Sequence, residues 1–210
     1  MRTKLAAAAV LCILLTGSNA LAVAPPKVKI AAASVVPCQQ GSHLGSCTYI
    51  GSDLFVGCNH VAEKDAKVYC GGRECVVVAR NEKYDIVVMK AAKAVRGLPA
   101  ASVASKDVQG GDVVFGVGYG VSYSDEDGLK TVKRRVFAGV VRGTLSPDGV
   151  SLNDWYYFSS VKGARSGDSG GAVFNINGEL VASLWGRSAN GRLTYATDNS
   201  ILLELLKEAR

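Results

Sequence analysis

Ser169 stands in a setting built to expose it. Gly163-Ala164-Arg165-Ser166-Gly167-Asp168-Ser169-Gly170-Gly171 runs directly into the apolar Ala172-Val173-Phe174. Glycine takes backbone angles closed to other residues, so a turn with glycines at 167, 170 and 171 can aim the N–H groups of Gly167 and Ser169 at one point beside the Ser169 hydroxyl. Such a point stabilises an oxyanion. A serine hydroxyl is a weak nucleophile until a base, itself oriented by a third group, stands within hydrogen-bond reach. The chain offers two histidines, His43 and His60.

His60 closes the run Leu54-Phe55-Val56-Gly57-Cys58-Asn59-His60, whereas His43 has no motif around it and reads as a surface or edge residue. Asp85 opens a second apolar run, Asp85-Ile86-Val87-Val88, 25 residues after His60. Asp65, Asp107 and Asp112 sit in turn-like contexts and are weaker choices for the orienting acid. With His60 as general base, Asp85 would fix the imidazole tautomer that leaves the second nitrogen facing Ser169. A hydrogen-bonded core histidine and a strand-capping aspartate are the plainer readings, and each would stand if its block occurred alone.

Gly167-Asp168-Ser169-Gly170-Gly171, the Cys58-Asn59-His60 strand end and the Asp85 block together resemble the three catalytic blocks of the chymotrypsin-like (trypsin-like) serine peptidases, in that family's order of His, Asp, Ser. The resemblance spans about 30 to 210 and implies an endopeptidase acting through an acyl-enzyme on Ser169, with no cofactor and no metal. It implies that Asp168 supports the oxyanion loop by pairing with a buried cation. Relatives that are activated by cleavage supply a new N-terminus for this; here Ile-Val-Gly-Gly is missing, and Arg165 is the expected local substitute. The resemblance also places Gly163 at the base of the specificity pocket, where trypsins carry Asp, so it lends no support to a Lys or Arg preference. Trp185 and Gly186 fall on the strand expected to bind substrate backbone. Leu184 stands where the family often has serine, with Ser183 one place earlier. Arg187, Arg192 and Leu193 are expected on the far wall of the pocket, where two arginines could favour an acidic group or could be plain rim charges.

Strand-like runs rich in Val, Ile, Tyr and Phe occur at 28–36, 44–50, 54–59, 66–70, 75–80, 85–90, 112–118, 131–142, 155–160, 171–176, 179–185 and 193–197. Clusters of Gly, Asp, Ser and Asn punctuate them. The expected fold is all-β: two six-stranded antiparallel barrels, with a helix from Ser200 to Ala209 capped by Asp198 or Asn199. The expected division is 1–24 as a leader, 25–95 as the barrel carrying His60 and Asp85, 96–110 as linker, and 111–210 as the barrel carrying Ser169.

At 210 residues, 48% hydrophobic and 20% charged, the chain reads as globular and able to bury a substantial core. Arg2 and Lys4, then Leu5 to Leu15 without charge, then small residues around Ala20, Ala22 and Ala24 read as a secretory signal peptide. The apolar run falls short of the roughly 20 residues that span a bilayer, and Cys12 lacks the context of a lipidated cysteine. Removing 1–24 lowers the formal charge of +6 by two. The expectation is a secreted or periplasmic protein without stable membrane association, monomeric, acting on protein or peptide.

Export favours disulfides among Cys38, Cys47, Cys58, Cys70 and Cys75. Cys70 with Cys75, and Cys47 with Cys58, are the expected pairs, leaving Cys38 over or exchanging with Cys47. A zinc site of Cys38, His43, Cys47 and Cys58 lacks the usual ligand spacing. Ser124-Asp125-Glu126-Asp127-Gly128 reads as a solvated turn rather than a calcium loop. Lys133-Arg134-Arg135 has no aromatic platform for nucleic acid and reads as a guarded edge strand. Two readings rival the peptidase: a catalytically silent, protease-like binding protein, and an esterase using the same three residues.

Overall fold

Alternation of side chains across a strand lets a short run bury one face, and a run covered on both sides becomes apolar throughout. Ile86–Ala91 is of the second kind, buried everywhere but at Lys90. The computed structural model describes residues 24–62, 67–123, 130–145, 155–159 and 163–209. The expected leader up to residue 23, Asp65 and the acidic turn Ser124–Gly128 lie outside the described residues.

Six strands form the first barrel: β1 (Val35–Gln40), β2 (His43–Gly51), β3 (Leu54–Gly57), β4 (Val68–Cys70), β5 (Arg73–Asn81) and β6 (Ile86–Ala91). Their order is β1-β2-β3-β6-β5-β4, closed where Cys38 and Gln39 of β1 face Cys70 and Tyr69 of β4. Six more form the second: β7 (Val113–Tyr123), β8 (Lys130–Leu145), β9 (Trp155–Ser159), β10 (Ala172–Phe174), β11 (Leu180–Arg187) and β12 (Leu193–Asp198). Their order is β10-β11-β12-β9-β8-β7, closed by β7 against β10. Closure leaves β8 paired on both sides, so it is not the edge strand its basic run suggested.

One apolar cluster draws on all six strands of the first barrel, with Phe55, Val87 and Met89 fully buried. A second does the same in the other barrel, where Phe137 stacks on Phe158. A third joins Val56 and Val88 to Val117, Phe174 and the C-terminal helix, and so fixes one barrel against the other. That helix, Asn199–Glu208, begins where the Asp198 carboxylate accepts the Ser200 N–H at 2.7 Å, and it buries Ile201, Leu202, Leu205 and Leu206. Between the barrels the chain is pinned at both ends: Ala101 N–H donates to the Tyr49 carbonyl and Ala104 N–H to that of Leu180. No helix among the described residues is long and apolar enough to cross a membrane.

Three local expectations fail, each for a physical reason. The run 28–36 is not one strand: it is a helix, Pro26–Ala31, then a 3-10 turn to Ser34, with β1 starting at Val35. Proline at the first helical position presets the helical φ; Val28 is then fully buried while Ile30 is 68% exposed, a split that a strand would not produce. The β4–β5 hairpin turns on two residues, Gly71 and Gly72, with φ of +55° and +78°, not on four. Cys70 therefore faces Arg73, and Cys75 faces Val68. In β2 the ladder shifts between Tyr49 and Gly51, which sets Cys47 opposite Gly57 and turns the next residue, Cys58, to the other face.

Candidate active site

β3 and β6 are ladder partners, with Gly57 opposite Val87, so the residues just beyond the end of one strand and just before the start of the other are neighbours. After β3 the chain makes a single turn in which Val61 and Ala62 donate to the carbonyls of Cys58 and Asn59. That turn carries His60. Asp85 precedes β6 with φ of +52°, a left-handed angle that costs a non-glycine residue energy and that the surrounding bonds must hold. The Asn59 N–H donates to the Asp85 carbonyl, the His60 N–H donates to Asp85 Oδ1 at 2.8 Å, and His60 Nδ1 lies 2.5 Å from Oδ2. A carboxylate only accepts, so Nδ1 carries the proton and Nε2 keeps its lone pair. The imidazole is 48% exposed and open to a substrate, while the Asp85 side chain is 20% exposed.

The Ser169 loop is fastened peptide by peptide. Val121 N–H donates to the Ser166 carbonyl, Gly171 N–H to that of Asp168, Asp168 N–H to that of Arg165, and Gly170 N–H to that of Leu184. Ser46 of β2 holds two more: its N–H donates to the Ser169 carbonyl at 2.7 Å and its Oγ to the Gly167 carbonyl at 2.7 Å. The same Oγ accepts from Tyr119 N–H at 2.8 Å. Gly167 and Gly170 take φ of +90° and +83°, and a Cβ at Gly170 would stand 2.1 Å from the Ser46 carbonyl oxygen. The N–H groups of Gly167 and Ser169 meet no acceptor among the described residues. Two fixed amides without partners, one of them the serine's own, are what an oxyanion site requires.

The two loops meet at the Leu184 carbonyl. It accepts from Gly170 N–H at 2.6 Å and from Cys58 Sγ at 2.9 Å, one residue after Ser169 and two before His60. The Ser169 hydroxyl itself donates to the Trp185 carbonyl at 3.4 Å, and the structure shows it making no hydrogen bond to His60. Ser183 faces Ala172 and Thr197 in the ladder rather than Asp85, and Thr197 Oγ1 donates to the Tyr84 carbonyl beside Asp85.

Asp168 is fully buried, and the cation that meets it is Arg135 of β8, at 2.7 Å. This corrects the expectation that Arg165 makes the ion pair: Arg165 donates its backbone N–H to Asp168 Oδ2 at 2.8 Å, and its charge adds only a smaller downward pull on the carboxyl than that of Arg135. Three residues of separation suit a turn in which the backbone reaches back, leaving the Arg165 side chain exposed. Room for the ion pair comes from Gly118 and Gly120 of β7, where a Cβ would stand 2.7 Å from Asp168 Oδ1 and 2.7 Å from Arg135 Cδ respectively. The alternating Gly118-Tyr119-Gly120 was the available signal for it. Burial pushes the Asp168 carboxyl up, against the downward pull of Arg135, and burial likewise lowers the Arg135 guanidinium. Desolvation outweighs the attraction on both partners, as expected for an ion pair taken out of water.

A cavity of about 200 Å³ opens beside Ser169, lined by Ala164, Arg165, Ser166, Ser169, Leu184, Gly186 and Arg187. Gly163 is not among these residues; its carbonyl accepts from Arg135 at 3.3 Å. Trp185 contributes its carbonyl to Ser169 and stacks its ring on Tyr195. Of the three residues expected on the far wall, Arg187 lines the cavity and Arg192 and Leu193 do not.

All five described cysteines are buried free thiols. Neither expected pair faces across a ladder; the sulfurs of Cys38, Cys47 and Cys70 gather within the first barrel, with Cys75 against Cys70, while Cys58 lies with His60 and Asp85. His43 is exposed and belongs to neither group, so the four residues weighed for zinc are not brought together.

The model of the trypsin-like peptidase domain matches residues 45–182. Among solved structures, the active form of the Rv3671c protease from M. tuberculosis superposes with a TM-score of 0.70 at 18% identity, covering 88% of this chain and 84% of that one. The HtrA-type protease AlgW with tripeptide gives 0.69 at 22% identity over 90% of this chain and 62% of that one. The serine endoprotease from Yersinia pestis gives 0.66 at 20% identity over 87% and 65%. No curated protein matches the chain.

Proposed function

The chain belongs to the trypsin-like peptidase family, and from that premise we propose that it hydrolyses peptide bonds through an acyl-enzyme on Ser169, with His60 as base and then acid and Asp85 as its orienter. One observation supports the reading: His60 Nδ1 is bonded to Asp85, and the loop that carries this imidazole meets the Ser169 loop at the Leu184 carbonyl, which accepts from Cys58 Sγ and from Gly170 N–H.

In this mechanism the Ser169 hydroxyl leaves the Trp185 carbonyl, to which it donates at 3.4 Å, and turns to His60 Nε2. Oγ then attacks the substrate carbonyl carbon as its proton passes to Nε2, and Asp85 stabilises the resulting imidazolium. The negative oxygen enters between the Gly167 and Ser169 amides, each donor of this kind supplying roughly 10²–10³ in rate. Nε2 returns the proton to the departing amine, and water, activated by the same nitrogen, releases the acid and restores Ser169. These steps require no cofactor. Arg135 lies in the chain itself, so the Asp168 loop sets without a newly cut N-terminus.

A fluorophosphonate should label Ser169, and Ser169→Ala and His60→Ala should abolish both labelling and peptide cleavage. A folded sample that neither labels nor cleaves would leave the binding-protein reading; cleavage of esters with peptides untouched would leave the esterase. The basic, apolar and small-residue order of 1–24 supports export to a periplasmic or extracellular space, where the protein acts as a monomer without stable membrane association or nucleic-acid partner. The N-terminal sequence of the mature protein tests that. In such a space Cys38 and Cys70, directly opposite in the β1–β4 ladder, form a cross-strand disulfide.

A further inference from the structure

Among the described residues, the cavity beside Ser169 is lined by two positively charged side chains and by no carboxylate. Ala164, Leu184 and Gly186 give it small and apolar walls, Ser166 adds a hydroxyl, and Arg165 and Arg187 bring guanidiniums. The only carboxylate of the loop, Asp168, is fully buried and already met by Arg135. Arg187 engages no acceptor among the described residues. After burial, the positive charges of Arg165 and Arg187 also hold down the Arg135 guanidinium. A lysine or arginine side chain entering the cavity would meet like charge; a carboxylate would meet two donors with fork geometry.

We propose that the cavity receives an acidic side chain of the substrate, on the acyl side of the scissile bond, with Arg165 and Arg187 as the specificity-determining residues. This rests on the serine peptidase reading above. The methylenes of a glutamate lie along Ala164 and Leu184 while its carboxylate reaches the guanidiniums at the rim. Because both arginines are exposed, salt screens the preference, and it weakens as ionic strength rises.

The test compares peptides identical except for Glu, Gln, Ala or Lys at the position before the cleaved bond. Glutamate and glutamine differ in charge and hardly in shape, so their kcat/KM ratio isolates the arginines. The expected ratio is about tenfold in favour of Glu at low salt, with Lys poorest. It should shrink in high salt and fall toward one in Arg187→Ser and Arg165→Ser, a ratio being insensitive to any general loss of activity. Labelling by fluorophosphonate runs alongside. A labelled, active enzyme that prefers Gln, Ala or Lys, or whose acidic preference maps to another substrate position, overturns the proposal and leaves the peptidase reading intact. Absence of both labelling and cleavage overturns the two together.

Discussion

Ser46 Oγ donates to the Gly167 carbonyl at 2.7 Å, so a side chain of the first barrel holds the Ser169 loop of the second. The same oxygen accepts from Tyr119 N–H, and the serine is fully buried. Ser46→Ala strands a buried acceptor and a buried donor at once, at about 1–3 kcal/mol for each unsatisfied group. The expected result is a fall in kcat of at least tenfold, with KM little changed, because substrate binding does not use Ser46. Steady-state kinetics and the rate of fluorophosphonate labelling check it; a rise in KM at constant kcat would contradict it.

Arg135→Met removes the cation from a fully buried carboxylate. Breaking one side of a buried pair costs about 3–5 kcal/mol, whereas replacing both partners is often near neutral. Denaturant melts should therefore show Arg135→Met strongly destabilised and Arg135→Met with Asp168→Asn largely recovered. Peptide cleavage should stay low in both, since the double variant restores stability without the charge pair that fixes the loop.

Asp168 gives stability and activity opposite pH dependences. Its carboxyl is raised by burial, so the folded chain binds that proton more tightly than the unfolded chain does. The stabilising contribution is present below the unfolded value of about 4 and is lost as pH rises through the raised folded value. Activity needs the ionised form against Arg135, and so declines on acidification at a less acidic pH than an ordinary carboxylate would impose. Melts of the wild type and Asp168→Asn from pH 3 to 7 should show the wild type losing stability relative to the variant as pH rises.

Cys38 and Cys70 are the pair to look for in non-reducing peptide maps of protein isolated from an oxidising compartment. The Gly71 N–H bond to the Pro37 carbonyl marks the adjacent pair as the hydrogen-bonded one. Cys38 and Cys70 thus occupy the close, non-bonded position, with Cα atoms roughly 4.5 Å apart, inside the range a disulfide spans. Hydrogen bonds from Cys47 and Cys70 lower the Cys38 thiol to about 5 against burial, and an oxidising compartment supplies the acceptor for the two electrons that joining Cys38 to Cys70 releases. A map that joins Cys70 to Cys75 or Cys47 to Cys58 would refute this.

Much of the candidate site was legible because its pattern is local. Glycines at 167, 170 and 171, an aspartate before an apolar run and a histidine after one are features of a few adjacent residues, as is the capped helix beginning at Asn199. The barrels were legible too, since the strand runs fall six and six and each repeats the apolar pattern a closed sheet needs.

What escaped the sequence depends on register and on contacts across long separations. One bulge in β2 and a two-glycine hairpin moved every cysteine partner, because a shift of a single residue reverses the face a side chain presents. Arg135 lies 33 residues from Asp168 and Ser46 lies 121 from Gly167. Composition and spacing along the chain determined that the protein is a two-barrel serine peptidase; packing one closed barrel against the other decided which cation holds the loop, which hydroxyl anchors it and which charges line the cavity beside Ser169. Contacts of that kind arise only when distant strands are fixed at a common distance, and no local pattern of residues encodes that distance.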